Sequence, residues 1–196
     1  YKRQACNWIS CEDDVGFLLS ITQSLKESLL VDPDRFYLLG NSNGGSMVQR
    51  LGCDYADHFA AVGIMIYQMP PGHACGPREA LPMLHYYGVH DDEVPHDGKP
   101  SPYGWVYTSA AENTRVWAET MGCNGPAVPW QTALTQEHDL QCEAYTDCQS
   151  EGVAVVSCGD PAAGHEWEAQ RIHAIPADCV CLLYTSPSPR DLSTTR

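Results

Sequence analysis

The chain has 196 residues, with 11 Lys and Arg against 25 Asp and Glu, a formal net charge of −14. So acidic a surface argues against nucleic acid and anionic membranes as partners. No apolar stretch approaches the roughly 18 residues of a membrane span, so no part of the chain reads as crossing a bilayer.

Both ends are expected to be foreign to the protein. Tyr1-Lys2-Arg3-Gln4 is what the end of a transposase adapter encodes, and Cys181 to Asp191 reads as the translation of the opposite adapter strand. Residues 1–4 and 181–196 are therefore set aside, the second as a disordered Ser/Pro tail. Residues 5–180 then form an internal fragment of one domain, with 7 basic and 24 acidic residues and a net charge of −17. Nine cysteines remain in it, a density that fits an oxidising, extracellular setting. Their irregular spacing, without paired CxxC, argues against zinc, and no metal or cofactor is expected.

In chain order, Asp13 reads as the N-cap of a helix running from Val15 to Leu30, with the neighbouring acids favourable at its positive end. Capping explains Glu12, Asp13 and Asp14 better than a paired-carboxylate site does. Val31-Asp32-Pro33-Asp34-Arg35 is a turn feeding a strand over Phe36–Leu39. Gly40-Asn41-Ser42-Asn43-Gly44 follows, then a helix over Gly45–Tyr55. The apolar run Ala61–Ile66 predicts a strand buried on both faces. Leu81–Gly88 predicts another, ending at Val89-His90-Asp91-Asp92-Glu93. A helix over Ser109–Met121 buries the stripe Ala110, Thr114, Trp117 and Met121. Two short strands, Gln141–Thr146 and Val153–Ser157, precede the loop Gly159–Trp167, and Cys179 starts or continues a last helix. This alternation predicts an α/β fold, a mainly parallel sheet flanked by helices.

A serine between two glycines, at the end of a strand and the start of a helix, is the signature of a nucleophile elbow. The turn strains the serine backbone, and small neighbours let strand and helix pass closely. In the α/β-hydrolase arrangement a Ser, an acid and a His follow in that order at the C-terminal ends of strands. Ser42, Asp91 and His165 satisfy both conditions. His165 is then the base that takes the Ser42 proton, and Asp91 orients and stabilises the imidazole. The backbone N–H of Asn43 is one oxyanion donor, the second being expected from a loop after an earlier strand that the fragment lacks.

Each assignment has competitors. Asp92 and Glu93 compete with Asp91, which stands at the better distance from the strand end. His90, His96, His138 and His173 compete with His165, which follows the last strand in a Gly-containing loop. His85, His90 and His96 with their acidic neighbours imitate a metal site, but the strand-end carboxylate has the better explanation. Trp167 is a candidate wall of the substrate cleft, or packing.

These residues together resemble a family. Val31–Tyr37 with Gly40–Gly45, Asp13–Phe17, Gly88–Asp91 with Val94-Pro95, and Gly164-His165-Glu166-Trp167 are similar to blocks of the polyhydroxybutyrate-depolymerase esterases, which include feruloyl and acetylxylan esterases. The resemblance implies a secreted α/β-hydrolase with Ser42, Asp91 and His165 as its triad, acting on esters of a polyester or a plant-wall polymer. It also implies a disulfide between Cys123 and Cys148. Asn41, where a smaller or more apolar residue is usual, and a His loop with fewer glycines depart from the pattern. A serine peptidase of the same fold and an inactive binding homologue are the alternatives. The oligomeric state stays open.

Overall fold

In a computed structural model of the chain, residues 12–28, 31–72, 75 and 80–166 are described. Trp167, His173, Cys179 and both ends expected to be foreign lie outside that set.

The first helix, α1 (Asp14–Glu27), begins where the Asp13 carboxylate accepts the Gly16 N–H at 2.9 Å. That is the cap expected of the acidic cluster, and it satisfies one of the donors a helix start leaves without a partner. The elements that follow are β1 (Tyr37–Asn41), α2 (Asn43–Asp54), β2 (Ala61–Met65), β3 (Met83–Gly88), α3 (Ala110–Thr120), β4 (Val128–Pro129), α4 (Ala133–Glu137), β5 (Gln141–Tyr145) and β6 (Val155–Asp160).

The strands form one sheet in the order β1-β2-β3-β6-β5-β4. β1, β2, β3 and β6 are parallel, while β5 runs antiparallel to β6 and β4 antiparallel to β5. All five residues of β2 are buried, as its continuous apolar run predicts for a strand covered on both faces. The antiparallel turn at β5 has a simple cause. Nine residues, 146–154, link β5 to β6, and a parallel crossover needs about a dozen or more. β4 and α4 were not expected, because a two-residue strand and a five-residue helix are too short to carry a hydrophobic period. α4 is fixed instead by a capping box between Thr132 and Thr135. β6 also starts two residues later than its apolar run suggests and continues to Asp160.

Behind the sheet α2 and α3 meet over a fully buried Trp117. Its Nε1–H donates to Gln49 Oε1 at 3.3 Å, Gln49 Nε2 donates to Asn113 Oδ1 at 3.1 Å, and the Met69 N–H donates to the same oxygen at 2.9 Å. This chain of polar groups ties the helix behind Ser42 to α3 and to the segment after β2. Among the described residues three disulfides add covalent ties: Cys53–Cys75, Cys123–Cys148 and Cys142–Cys158. The second is the pair implied by resemblance. The third joins residues directly opposite each other in the β5–β6 ladder.

Register places the turns that carry the candidate residues together. Asn41 lies opposite Met65, Met65 opposite Tyr86, and Tyr86 opposite Cys158. The C-terminal ends of four parallel strands thus form one rim, and Ser42, Asp91 and His165 all follow from it.

Candidate active site

Ser42 stands between β1 and α2 with φ 51° and ψ −118°. Few non-glycine residues occupy that left-handed region, and such strain marks functional turns. The turn is held by the Ser42 N–H donating to the Met65 carbonyl at 2.9 Å and by the Ser46 N–H donating to the Ser42 carbonyl at 3.0 Å. The two glycines of the motif differ in role. A Cβ on Gly40 would stand 2.2 Å from the Gly44 carbonyl oxygen, whereas a Cβ on Gly44 would meet nothing within 4 Å. Gly45 is tight instead, its missing Cβ lying 3.0 Å from Tyr67 Cβ. The expectation that both flanking glycines are needed for close passage therefore fails for Gly44.

Asn43 is the first residue of α2. Its N–H belongs to the opening turn, where helix geometry supplies no carbonyl, and the helix dipole favours negative charge there.

Asp91 follows β3 and is buried. One carboxylate oxygen, Oδ1, accepts the backbone N–H of Glu93 at 2.9 Å and of Val94 at 2.8 Å, curling the loop around it. The other faces His165: Nδ1 of the imidazole is 2.9 Å from Asp91 Oδ2 and 3.1 Å from Oδ1. The opposite ring nitrogen, Nε2, is 2.9 Å from Ser42 Oγ. These contacts fit the tautomer with its proton on Nδ1, which leaves the Nε2 lone pair for the serine hydroxyl. The hydrogen bond that His165 donates to Asp91 holds its pKa above the usual imidazole value, against the opposing pull of burial, and the charges of Asp91 and Glu93 add to it.

The loop that brings His165 is laced to β3. The Val89 N–H donates to the Asp160 carbonyl at 2.9 Å and the His90 N–H to the Ala163 carbonyl at 2.9 Å. Asp160 is itself held, accepting Tyr86 Oη at 2.8 Å and the Ala162 N–H at 2.8 Å.

His85 and His96, members of the histidine cluster that imitates a metal site in the sequence, are held by packing within and beside β3. His85 is fully buried in β3, and burial pushes its pKa down to about 4. Its ring leans on Tyr87 at 5.5 Å, and Tyr87 stacks on His96 at 5.5 Å with planes 9° apart. Among the described residues no group of three or more His, Cys, Asp or Glu is arranged to hold a metal ion. None of their helices is long and apolar enough to cross a membrane.

Two features escape sequence reasoning. Glu93 Oε2 lies 3.6 Å from His165 Nε2, so the carboxylate that competes with Asp91 in the sequence approaches the same ring from its other side. Tyr67 and Tyr107 pack edge to face with centroids 5.6 Å apart. Burial raises the Tyr107 phenol, and the charges of Tyr67, Asp91 and Glu93 raise it further. Only the folded loop brings these groups together, and no spacing announces it.

The parallel strands, the elbow between β1 and α2, and the rim they share make this an α/β-hydrolase fold. Protein-family models give no match to the chain. In sequence it is 30% identical over 161 residues to feruloyl esterase B of Piromyces equi, covering 78% of this chain and 29% of that protein. Over 86 residues it is 30% identical to feruloyl esterase C of Emericella nidulans, covering 44% of this chain and 32% of that protein. In structure it resembles acetyl xylan esterase from Aspergillus awamori with a TM-score of 0.53 at 13% identity, covering 81% of this chain and 65% of that one, a likeness of fold. The chain is thus a relative of the feruloyl-esterase-like proteins, and spans about three-tenths of the length of these two curated relatives. These names support the feruloyl-esterase side of the resemblance and do not bear on polyhydroxybutyrate depolymerases.

Proposed function

We propose that residues 5–180 are part of the catalytic domain of a secreted serine carboxylesterase acting on plant-wall esters of the feruloyl or acetyl type. Residues 1–4 and 181–196 are foreign to it on this reading. The observation that carries the proposal is one imidazole held between a strained serine and a buried carboxylate, Nε2 at 2.9 Å from Ser42 Oγ and Nδ1 at 2.9 Å from Asp91 Oδ2. The feruloyl esterase relatives supply the substrate class, and three disulfides suit an extracellular setting.

Ser42 Oγ attacks the ester carbonyl as His165 Nε2 takes its proton. The carbonyl oxygen becomes an oxyanion, to which the Asn43 N–H donates at the positive end of α2. The intermediate collapses, the C–O bond to the leaving alcohol breaks, and His165 returns the proton to that oxygen. Water then attacks the acyl-serine by the same route, with His165 again as base, and releases the acid. Asp91 keeps the imidazole in the required tautomer and stabilises its charged form. Trp167 is a candidate wall of the cleft.

The test uses the full-length protein that contains this chain. A fluorophosphonate probe should label Ser42, and methyl ferulate should be cleaved, with Ser42→Ala losing both. Cleavage of poly-3-hydroxybutyrate in place of the ferulate would move the substrate class to polyesters. No labelling and no release from either ester would overturn the enzyme reading in favour of a binding protein.

A further inference from the structure

Asp91 and Glu93 reach the same imidazole from opposite sides. The Asp91 carboxylate is almost wholly enclosed, its side chain 1% exposed, and meets Nδ1. The Glu93 side chain is 51% exposed, and its Oε2 lies 3.6 Å from Nε2, the nitrogen that also faces Ser42 Oγ. That distance is too long for a hydrogen bond and short enough for an ion pair with a charged ring. The placement is built in, because the Glu93 N–H is itself bonded to Asp91 Oδ1. The carboxylate that orients the ring on one side thereby fixes the backbone that carries the second carboxylate to the other.

We propose that Glu93 is a positioning residue that restrains His165 from the Nε2 side and keeps negatively charged esters away from Ser42. The inference rests on the esterase reading for its substrate half and on geometry alone for its His165 half. During turnover Nε2 lies between the serine oxygen and the leaving oxygen, so a half-exposed carboxylate at that nitrogen stands where the leaving group departs. It attracts the imidazolium that forms when Ser42 attacks, and it repels an ester bearing a carboxylate near the scissile bond. It also repels the carboxylate product, which favours release. Among the described residues the charged groups acting on His165 are Asp91 and Glu93. Ser42, from the turn between β1 and α2, is neutral. The Tyr107 phenol is raised by burial and then by Tyr67, Asp91 and Glu93, so it carries no charge that competes for His165.

Glu93→Gln keeps the shape and removes the charge. In histidine-labelled protein followed by NMR, with the His165 signal assigned by its loss in His165→Gln, His165 should titrate at lower pH in Glu93→Gln than in the wild type. Superimposable titration curves overturn the positioning role. With matched ester pairs differing by one carboxylate, Glu93→Gln should raise kcat/KM for the anionic ester relative to the neutral one by about two- to fivefold. An unchanged ratio overturns the exclusion role. The NMR measurement needs no turnover. A shifted titration in a protein that cleaves no ester would sink the esterase reading and leave the contact standing.

Discussion

Gly88 and Gly164 meet backbone to backbone: a Cβ on Gly88 would stand 2.2 Å from the Gly164 carbonyl oxygen and 2.6 Å from that of Ala163. The end of β3 and the loop that carries His165 are therefore pressed together at the point where one leads to Asp91 and the other to the imidazole. Gly88→Ala has to push these backbones apart. It should lower stability by about 1–3 kcal/mol and, by moving the imidazole off Ser42, cut ester hydrolysis about a hundredfold. Thermal unfolding and steady-state kinetics on the variant check both, and wild-type rates in Gly88→Ala would show that the contact does not position His165.

The two glycines around Ser42 predict an asymmetry. Gly40 is backed by the Gly44 carbonyl, so Gly40→Ala should unfold at clearly lower temperature. Gly44 is in α2 with open space where a Cβ would go. Gly44→Ala should therefore unfold at the same or higher temperature, with a gain of up to about 1 kcal/mol from lost chain freedom. Equal losses in the two variants would contradict the geometry.

That Ser42, Asp91 and His165 would meet was legible in sequence because each is tied to the end of a strand, and strand ends can be read from apolar runs and their breaks. Asp13 was legible because a helix start needs an acceptor whatever packs around it. Glu93 was not, since in sequence it is one of three consecutive acids. Its approach to His165 depends on the loop curling about Asp91 Oδ1. Tyr107 likewise gains its place from the fold and resembles ordinary packing in the sequence. The reversal of β5 was hidden for another reason: period-2 patterns do not carry direction, and only the length of the connection does.

With His165 as the base of the proposed mechanism, the pH dependence has a definite sign. The His165 pKa is raised, chiefly by the hydrogen bond it donates to Asp91, and a general base acts in its neutral form. kcat/KM should thus rise as pH climbs through the raised value and level off above it. Stability runs the other way: the folded state favours the bound proton. That contribution is complete below the pKa of the unfolded imidazole and is lost as pH rises through the folded one. Asp91→Asn removes the main cause and the tautomer control, so its rate should fall by about 10⁴-fold. An acid limb that stays in place in the residual activity of Asp91→Asn would contradict this account.

The buried contacts among Gln49, Asn113, Trp117 and Met69 predict non-additive stability. Asn113 Oδ1 accepts from Gln49 Nε2 and from the Met69 N–H, and Gln49 Oε1 accepts from Trp117 Nε1. Gln49 is on α2, one face behind the elbow; Asn113 and Trp117 are on α3. Asn113→Ala strands two donors in a site that excludes water, at a cost of about 1–3 kcal/mol. Gln49→Ala strands the Trp117 N–H at a similar cost. The double variant removes their shared bond only once, so its loss should fall short of the sum by about 0.5–3 kcal/mol. Denaturant unfolding of the four proteins measures that difference. Strict additivity would mean that the two side chains stabilise α2 and α3 separately, and that the helix carrying Asn43 is not held in place from α3 through this chain.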